Sequence, residues 1–404
     1  MRLLIPLFSP ATGTWGGLTR VLAIAQAAQQ AGHSVAFCAS GYLENVLRER
    51  GYQVYAMPAT TMLGLPGPLS RWVANRSQNA SIPAKPGKSV GNIWFVQVLS
   101  GTARAGYLRQ LVESELAAIR DFKADGLFTD LDLGAYLASA ISGIPIASAY
   151  QQIMSEGKGS FSWKLVHRAM AGVLKTYARP VRTPDELAFG SQVLKIIPSI
   201  PELEGASSNR PDICYVGHLL GEIKAGKPEV FKPDDGKRYL YIYVGTGSIT
   251  QAMLRSVLPG LLSQSGAIKA IVGGVNISIP ECLGEVEFRS YISADDLLPY
   301  CDWTICHGGQ NTIIQSLIHG VPLVVFPGPI FERRFNARKI QESGAGVMGE
   351  LTDFNVDWLQ AVLARRNEHA VKARTLGNKI ESLGGAPRAI QRIAEWVNSR
   401  GERQ

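Results

Sequence analysis

Nowhere in the chain do about 18 apolar residues follow one another, the length a helix needs to cross a bilayer, so no transmembrane span is expected. Low-complexity tracts and blocks of like charge are also missing, which leaves no disordered or charged tail to account for. The five cysteines (Cys38, Cys214, Cys282, Cys301 and Cys306) are scattered, odd in number and without a CxxC pair. Neither a disulfide framework nor a thiolate metal site is therefore expected, and reduced thiols of a cytosolic protein fit the pattern. Cys301 and Cys306 flank an expected core strand and read as packing residues. No RNP-type aromatic motif, zinc-finger spacing or dense basic helix is present, which argues against nucleic acid as a partner. The opening MRLLIPLF lacks the apolar core and cleavage site of a secretory leader and reads directly as a strand, so the expected location is the cytoplasm. Histidine is scarce, six in all, and the first is His33.

What is present describes a globular chain. Of 404 residues 46% are hydrophobic and 18% charged, too long a chain for one ordinary core and long enough for two domains with a cleft between them. The net charge of +8 is uneven: through Arg120 there are eleven Lys or Arg against four Glu, a local balance of +7. A basic first half suits anionic ligands or a membrane surface.

Strand and helix patterns alternate, which implies parallel sheets and an α/β fold. The first half reads as a strand at 3–8, a Gly-rich turn (Gly13, Gly16, Gly17) and a helix at 18–31 with Leu18, Val21, Leu22, Ala25 and Ala28 at helical spacing. Gly32 ends it, and 34–38, 44–50 and 54–56 read as strand, helix and strand. Between 60 and 100 the pattern breaks into a Pro- and Gly-containing loop region with short helices at most, carrying Trp72, Trp94, Arg71, Arg76, Lys85 and Lys88. Alternation resumes with a helix at 107–122, a strand at 126–129, a helix at 134–141 and a strand at 144–149. The Pro- and Ser-rich stretch 196–210 marks the linker, dividing a domain at 1–205 from one at 206–385. A last helix at 387–398, apolar on one face through Ile390, Ile393, Ala394 and Val397, is expected to place 386–404 back against the first domain.

The most informative stretch is 307–336. A strand at 303–306 runs into His307-Gly308-Gly309, a helix opens near Asn311-Thr312, and a second strand follows at 321–327. Unsatisfied amides and the positive end of a helix then face one point at the carboxyl end of a parallel sheet, where an anion belongs. A second loop of the same kind, Gly245-Thr246-Gly247-Ser248, follows a strand at 239–244 and precedes a helix at 251–264. Two such loops in one domain suit the two ends of one phosphate-bearing ligand, a diphosphate above all.

From Tyr291 to Gly346 the sequence resembles the nucleotide-sugar site of GT-B glycosyltransferases of family 1. The residues that carry this are Tyr291-Ile292, Leu297-Leu298-Pro299, Asp302, His307 to Thr312 (HGGQNT), Gly320-Val321-Pro322, Pro327, Glu332-Arg333 and Asn336-Ala337. A looser likeness extends over nearly the whole chain. The resemblance implies two facing Rossmann-like domains, with a UDP- or TDP-sugar held mainly by the second and the acceptor by the first. It also implies inverting, metal-independent transfer, with the nucleotide sugar as co-substrate and no other cofactor. His307 would then meet the diphosphate, with Asn311 and Thr312 adding donors; the alternative is a loop histidine satisfied by backbone. Tyr291 would stack on the base, or serve only as a core edge. Thr246, Gly247 and Ser248 would bond phosphate or base, or merely cap a helix.

Four departures from the family pattern bear on function. Gln315 stands where a Glu commonly bonds the ribose hydroxyls. Glu332-Arg333 replaces an Asp-Gln pair that grips the sugar; Glu332 keeps a carboxylate, whereas Arg333 brings a planar cation or, with Arg334, a solvated helix charge. The family's base, a His in the first Gly-rich turn, is replaced by Gly16-Gly17 on the acceptor side. Asp130, and after it Asp132, are the candidate substitutes, each of which reads equally as a helix N-cap. Ser293-Ala294 replaces a Pro-Gln pair and alters a loop. Trp72, Trp94 and the Phe161–Trp163 segment, among Lys158, Lys164 and Arg168, are expected to line a site for a small apolar or lipid-like acceptor or to touch lipid headgroups, unless they form an ordinary surface helix. The rival expectation is a non-catalytic nucleotide-sugar-binding protein that kept the fold and lost the base.

Overall fold

In a computed structural model, residues 1–9, 15–78, 88–205, 209–221, 231–234, 236–245, 249–263, 268–275, 277 and 280–401 are described. Seven strands form the first sheet: β1 (Arg2–Pro6), β2 (Ser34–Ala39), β3 (Gln53–Ala56), β4 (Gly126–Thr129), β5 (Ile146–Ala149), β6 (Val193–Ile197) and β7 (Ile213–Tyr215). Their order is β3-β2-β1-β4-β5-β6-β7 and every pairing is parallel. Sequences such as GLFT in β4, IASA in β5 and VLKII in β6 are buried throughout, as strands covered by helices on both faces must be.

The second sheet comprises β8 (Arg238–Tyr243), β9 (Ile268–Gly273), β10 (Glu281–Leu283), β11 (Val286–Phe288), β12 (Cys301–Cys306), β13 (Leu323–Val325) and β14 (Gly346–Met348), in the order β10-β11-β9-β8-β12-β13-β14. Only β10 and β11 pair antiparallel. Strand order reverses between β1 and β4 in the first sheet and between β8 and β12 in the second, and ligands of such sheets bind beyond the strand tips at these switch points. Among the described residues no helix is long and apolar enough to cross a membrane.

Several expectations need correction. The first sheet does not end at 205, because β7 pairs with β6 after the Pro- and Ser-rich stretch. The first helix starts at Trp15, so Gly16 and Gly17 lie in its opening turn and not in a preceding loop. The described residues of 60–100 form short helices, as the sequence allowed: a 3-10 turn at Met62–Gly64, Gly67–Gln78 and Ile93–Leu99, the last capped by Asn92 accepting from the Phe95 amide at 3.0 Å. That helix buries Trp94, 1% exposed, against Phe189 at 5.7 Å between ring centroids. Trp94 is therefore a core residue of the first domain and does not line an open acceptor surface. Gly13 and Lys85, and the side chains of Arg71 and Arg76, lie outside the described residues.

The last helix, Gly385–Gly401, packs Ala389, Ile390, Ile393, Trp396 and Val397 into the same core as Leu22 and Ala25 of the Trp15–Gln30 helix. The chain thus leaves the second domain and finishes on the first. Where it crosses back, the Gly385 amide donates to the Val216 carbonyl at 2.8 Å, and a Cβ on Gly217 would stand 1.9 Å from the Ile380 carbonyl oxygen, so only glycine fits there. Replacing fully buried Ile393 by Ala should destabilise the first domain by roughly 2–4 kcal/mol, read as an earlier urea transition; an unchanged midpoint would show that the helix is not part of that core.

Candidate active site

At the tip of β12 the chain turns through His307, Gly308 and Gly309 into the helix Gln310–Ile318. Gly308 adopts φ 91°, and a Cβ there would press on the Arg333 carbonyl at 3.0 Å and on Val325 at 3.1 Å. The Asn336 amide Nδ2 donates to the Gly308 carbonyl at 2.9 Å and pins the turn. Gly309 is the N-cap and no side chain caps this helix, so its first-turn amides remain available to a ligand.

The imidazole of His307 fits between two glycines. A Cβ on Gly309 would lie 2.8 Å from its Nε2, and one on Gly245, at the tip of β8, 3.1 Å from its Cε1. The residue is 8% exposed, its ring rests 5.7 Å from the Tyr243 ring, and Nδ1 is buried without a partner among the described residues. Burial, reinforced by the Arg333 guanidinium, pushes the His307 pKa down to about 3, against a backbone hydrogen bond at Tyr243. At neutral pH the ring is thus uncharged, with one donor and one acceptor nitrogen.

The other donor-side residues surround this point. Asn311 and Thr312 lie half-buried in the first turn, and Gln315 half-buried one turn further on. Arg333 is half-buried, and burial holds its pKa down, with Glu332 opposing, so it borders the site partly withdrawn from solvent. Arg334, by contrast, is structural: 7% exposed, it binds Glu350 through Nη1 at 3.1 Å and Nη2 at 2.6 Å and donates to the Gly328 carbonyl at 3.1 Å. Tyr291, 42% exposed, follows β11 near Tyr241. Thr246, Gly247 and Ser248 lie outside the described residues.

Across the crevice, Asp130 follows β4 and is 5% exposed. Arg20 donates to its Oδ2 from Nε at 3.0 Å and pairs with it through Nη2 at 2.8 Å, while Oδ1 is enclosed without a partner. From the same guanidinium Nη1 reaches Oε1 of Gln310 at 3.5 Å, and Gln310 Nε2 donates to the Pro198 carbonyl at 3.2 Å. Glu332 feels both Arg20 and Asp130, so the two domains meet in one polar cluster. Burial pushes the Glu332 carboxyl up, against the pull of Arg20 and Arg333. Arg20 did not stand out in the sequence, and Gln310 did so only as part of HGGQNT: an arginine on an amphipathic helix has no local mark, and its partners lie 110 and 290 positions away.

Asp132 has the capping role. Its Oδ1 accepts from the Gly134 amide at 2.7 Å and the Ala135 amide at 3.3 Å, opening the helix Leu133–Ser142. Behind it lies Glu115, 0% exposed, whose carboxyl is pushed well up by burial and then by Asp132. Burial raises Asp132 as well, but the two helix amides oppose this, so Glu115 keeps the proton of the pair. Among the described residues, a Cβ on Gly16 would meet the Arg20 Nη1 at 3.9 Å. Trp72 is 57% exposed on the Gly67–Gln78 helix.

Because the native state holds the Glu115 proton to a higher pH than the unfolded chain does, its burial costs stability as pH rises above the ordinary carboxyl range. Glu115→Gln should therefore gain stability over the natural protein at pH 8 and little at pH 4, measured by urea unfolding at both; an advantage that does not grow with pH would contradict the protonated pair.

Residues 274–381 match the family model described as the erythromycin biosynthesis protein CIII-like C-terminal domain. Among relatives, the NDP-glycosyltransferase YjiC of Bacillus subtilis is 28% identical over 192 residues, 46% of this chain and 48% of that protein, so the alignment spans about half of each. Solved structures share the fold over almost the whole length. The kitacinnamycin glycotransferase superposes with a TM-score of 0.72 at 15% identity, covering 98% of both chains. The glycosyltransferase VinC, solved in complex with DTDP, gives 0.70 at 17% identity, covering 99% of this chain and 100% of that one. The architecture is thus the GT-B fold, and over 274–381 and along its relatives the chain is similar to glycosyltransferases.

Proposed function

We propose that the chain transfers a sugar from a UDP- or TDP-sugar to a hydroxyl of a small apolar or lipid-like acceptor, with inversion and without a metal ion. The observation that carries this reading is the convergence of an uncapped helix end, an uncharged enclosed imidazole and the Arg333 cation at the β8–β12 switch point. A diphosphate leaving group gathers negative charge as its bond to the sugar breaks. Prearranged amides and a neutral N–H stabilise that charge without rearrangement, and Arg333 adds a full positive charge. Glu332 is left to accept from sugar hydroxyls.

The acceptor hydroxyl attacks the anomeric carbon from the face opposite the diphosphate. Its proton passes to Asp130 Oδ1, an enclosed carboxylate oxygen that has no donor among the described residues and is costly to leave so. The new C–O bond forms as the bond to the diphosphate breaks, the electron pair leaving with the phosphate oxygen. Exposed Trp72 and Phe161, the latter 77% exposed, together with exposed Lys158 and Lys164 support a lipid-like acceptor met at an anionic membrane surface. The engagement of Asp130 by Arg20 favours one second reading, a nucleotide-sugar-binding protein without turnover.

Two variants separate these readings. His307→Ala should weaken UDP or TDP binding by roughly 10- to 100-fold, the worth of a hydrogen bond to a charged group, seen as a lost thermal shift. Asp130→Asn should keep that binding and lower turnover by ~10² to 10⁴. Unchanged turnover in Asp130→Asn removes Asp130 from the reaction; diphosphate binding without any turnover in the natural protein favours the auxiliary reading.

A further inference from the structure

The transfer reading leaves one problem unsolved. With Gly16 and Gly17 in the opening turn of the first helix, no histidine stands between Asp130 and an acceptor, and a lone carboxylate on a loop has no fixed orientation. The same helix supplies a group one turn on. Both Arg20 contacts to Asp130, Nε at 3.0 Å and Nη2 at 2.8 Å, fall on Oδ2, which leaves Oδ1 enclosed and, among the described residues, without a partner. The guanidinium is itself held: its side chain is 14% exposed, and Nη1 reaches Oε1 of Gln310, the first residue of the diphosphate-facing helix, whose amide is tied to the Pro198 carbonyl.

We propose that Arg20 is a positioning residue for sugar transfer. It clamps one oxygen of Asp130 so that the other receives the acceptor proton, and through Gln310 it sets that carboxylate in register with the helix that holds the leaving diphosphate. This rests on the transfer reading and adds to it how the base is oriented without a histidine. Arg20 makes no contact with reacting atoms: the proton moves from the acceptor oxygen to Asp130 Oδ1, the acceptor oxygen bonds the anomeric carbon, and the diphosphate leaves with the electron pair. The planar fork of an arginine can grip one carboxylate and a neighbouring amide together, whereas the single ammonium of a lysine cannot hold both geometries.

The test uses the full chain carrying Arg20→Gln or Arg20→Lys, with UDP- or TDP-glucose as donor and a simple phenol or water as acceptor, followed by nucleoside diphosphate release. Turnover in Arg20→Gln should fall about 10- to 100-fold, the scale of a catalytic group misplaced by an ångström, while the Kd for UDP or TDP stays within about twofold. Millimolar guanidinium should restore part of the lost rate, and Arg20→Lys should lie between. Full turnover in Arg20→Gln overturns the inference. A loss expressed only in donor affinity, or one that guanidinium does not relieve, also overturns it, since that is how a merely structural ion pair behaves. Natural protein that binds neither diphosphate contradicts the transfer reading itself, a result distinguishable from the failure of Arg20 alone.

Discussion

A steric fit governs the donor half of this molecule: one imidazole occupies the gap between two strand-tip loops, and that gap exists only because Gly245 and Gly309 have no side chains. From this fit the rest follows. Enclosure strips water from the His307 ring and keeps it uncharged. The turn that carries it must pass through a left-handed glycine, Gly308, and the Asn336 amide fixes that turn. The next residues leave a helix end that no side chain caps, so its first-turn amides are presented as donors at that point. Enlarging either glycine would displace the ring and the helix end together.

The second constraint is mutual orientation of the domains. The Gly385–Gly401 helix returns to the first domain's core, while Val216–Gly217 crosses directly beside Ile380 and Gly385. Two crossings of the chain at one place make a hinge with little freedom to twist. On the cleft side the contact is polar: Arg20, Asp130 and Gln310 form one network, extended by a strand-like contact in which the Val90 amide donates to the Pro329 carbonyl at 2.6 Å. Such polar cleft contacts suit domains that open and close around a ligand better than a dry apolar seam would.

Much of this was legible in the sequence, and the reasons differ by residue. Strand–helix alternation gave two parallel sheets, because fully buried strands such as WTIC and short helices with regular apolar spacing leave strong periodic marks. The His307-Gly308-Gly309 turn was legible because the glycines stand between a strand and a helix start and within the HGGQNT stretch that carries the resemblance. Trp94 was misread because a seven-residue helix as apolar as IWFVQVL carries no polar face to show which of its residues are buried. The boundary at 205 was misread because β7 has three residues and follows a stretch with loop composition. The Arg20–Asp130–Gln310 network was invisible for a more basic reason: Gln310 lies in the HGGQNT stretch and Asp130 was a candidate, but nothing local links them to each other or to Arg20, 110 and 290 positions away. Between the two readings of Asp130 and Asp132, capping or chemistry, only the location of the Gly134 and Ala135 amides could discriminate, and they fall on Asp132.

The central claim, that a nucleoside diphosphate is gripped where the second sheet reverses its strand order, is tested most directly by a crystal structure with UDP or TDP bound. The account predicts the terminal phosphate within hydrogen-bond distance of the His307 imidazole and of the first-turn amides of the Gln310–Ile318 helix, with Arg333 alongside. A diphosphate seated elsewhere, or those amides and the imidazole found occupied by groups of the protein itself, would contradict it.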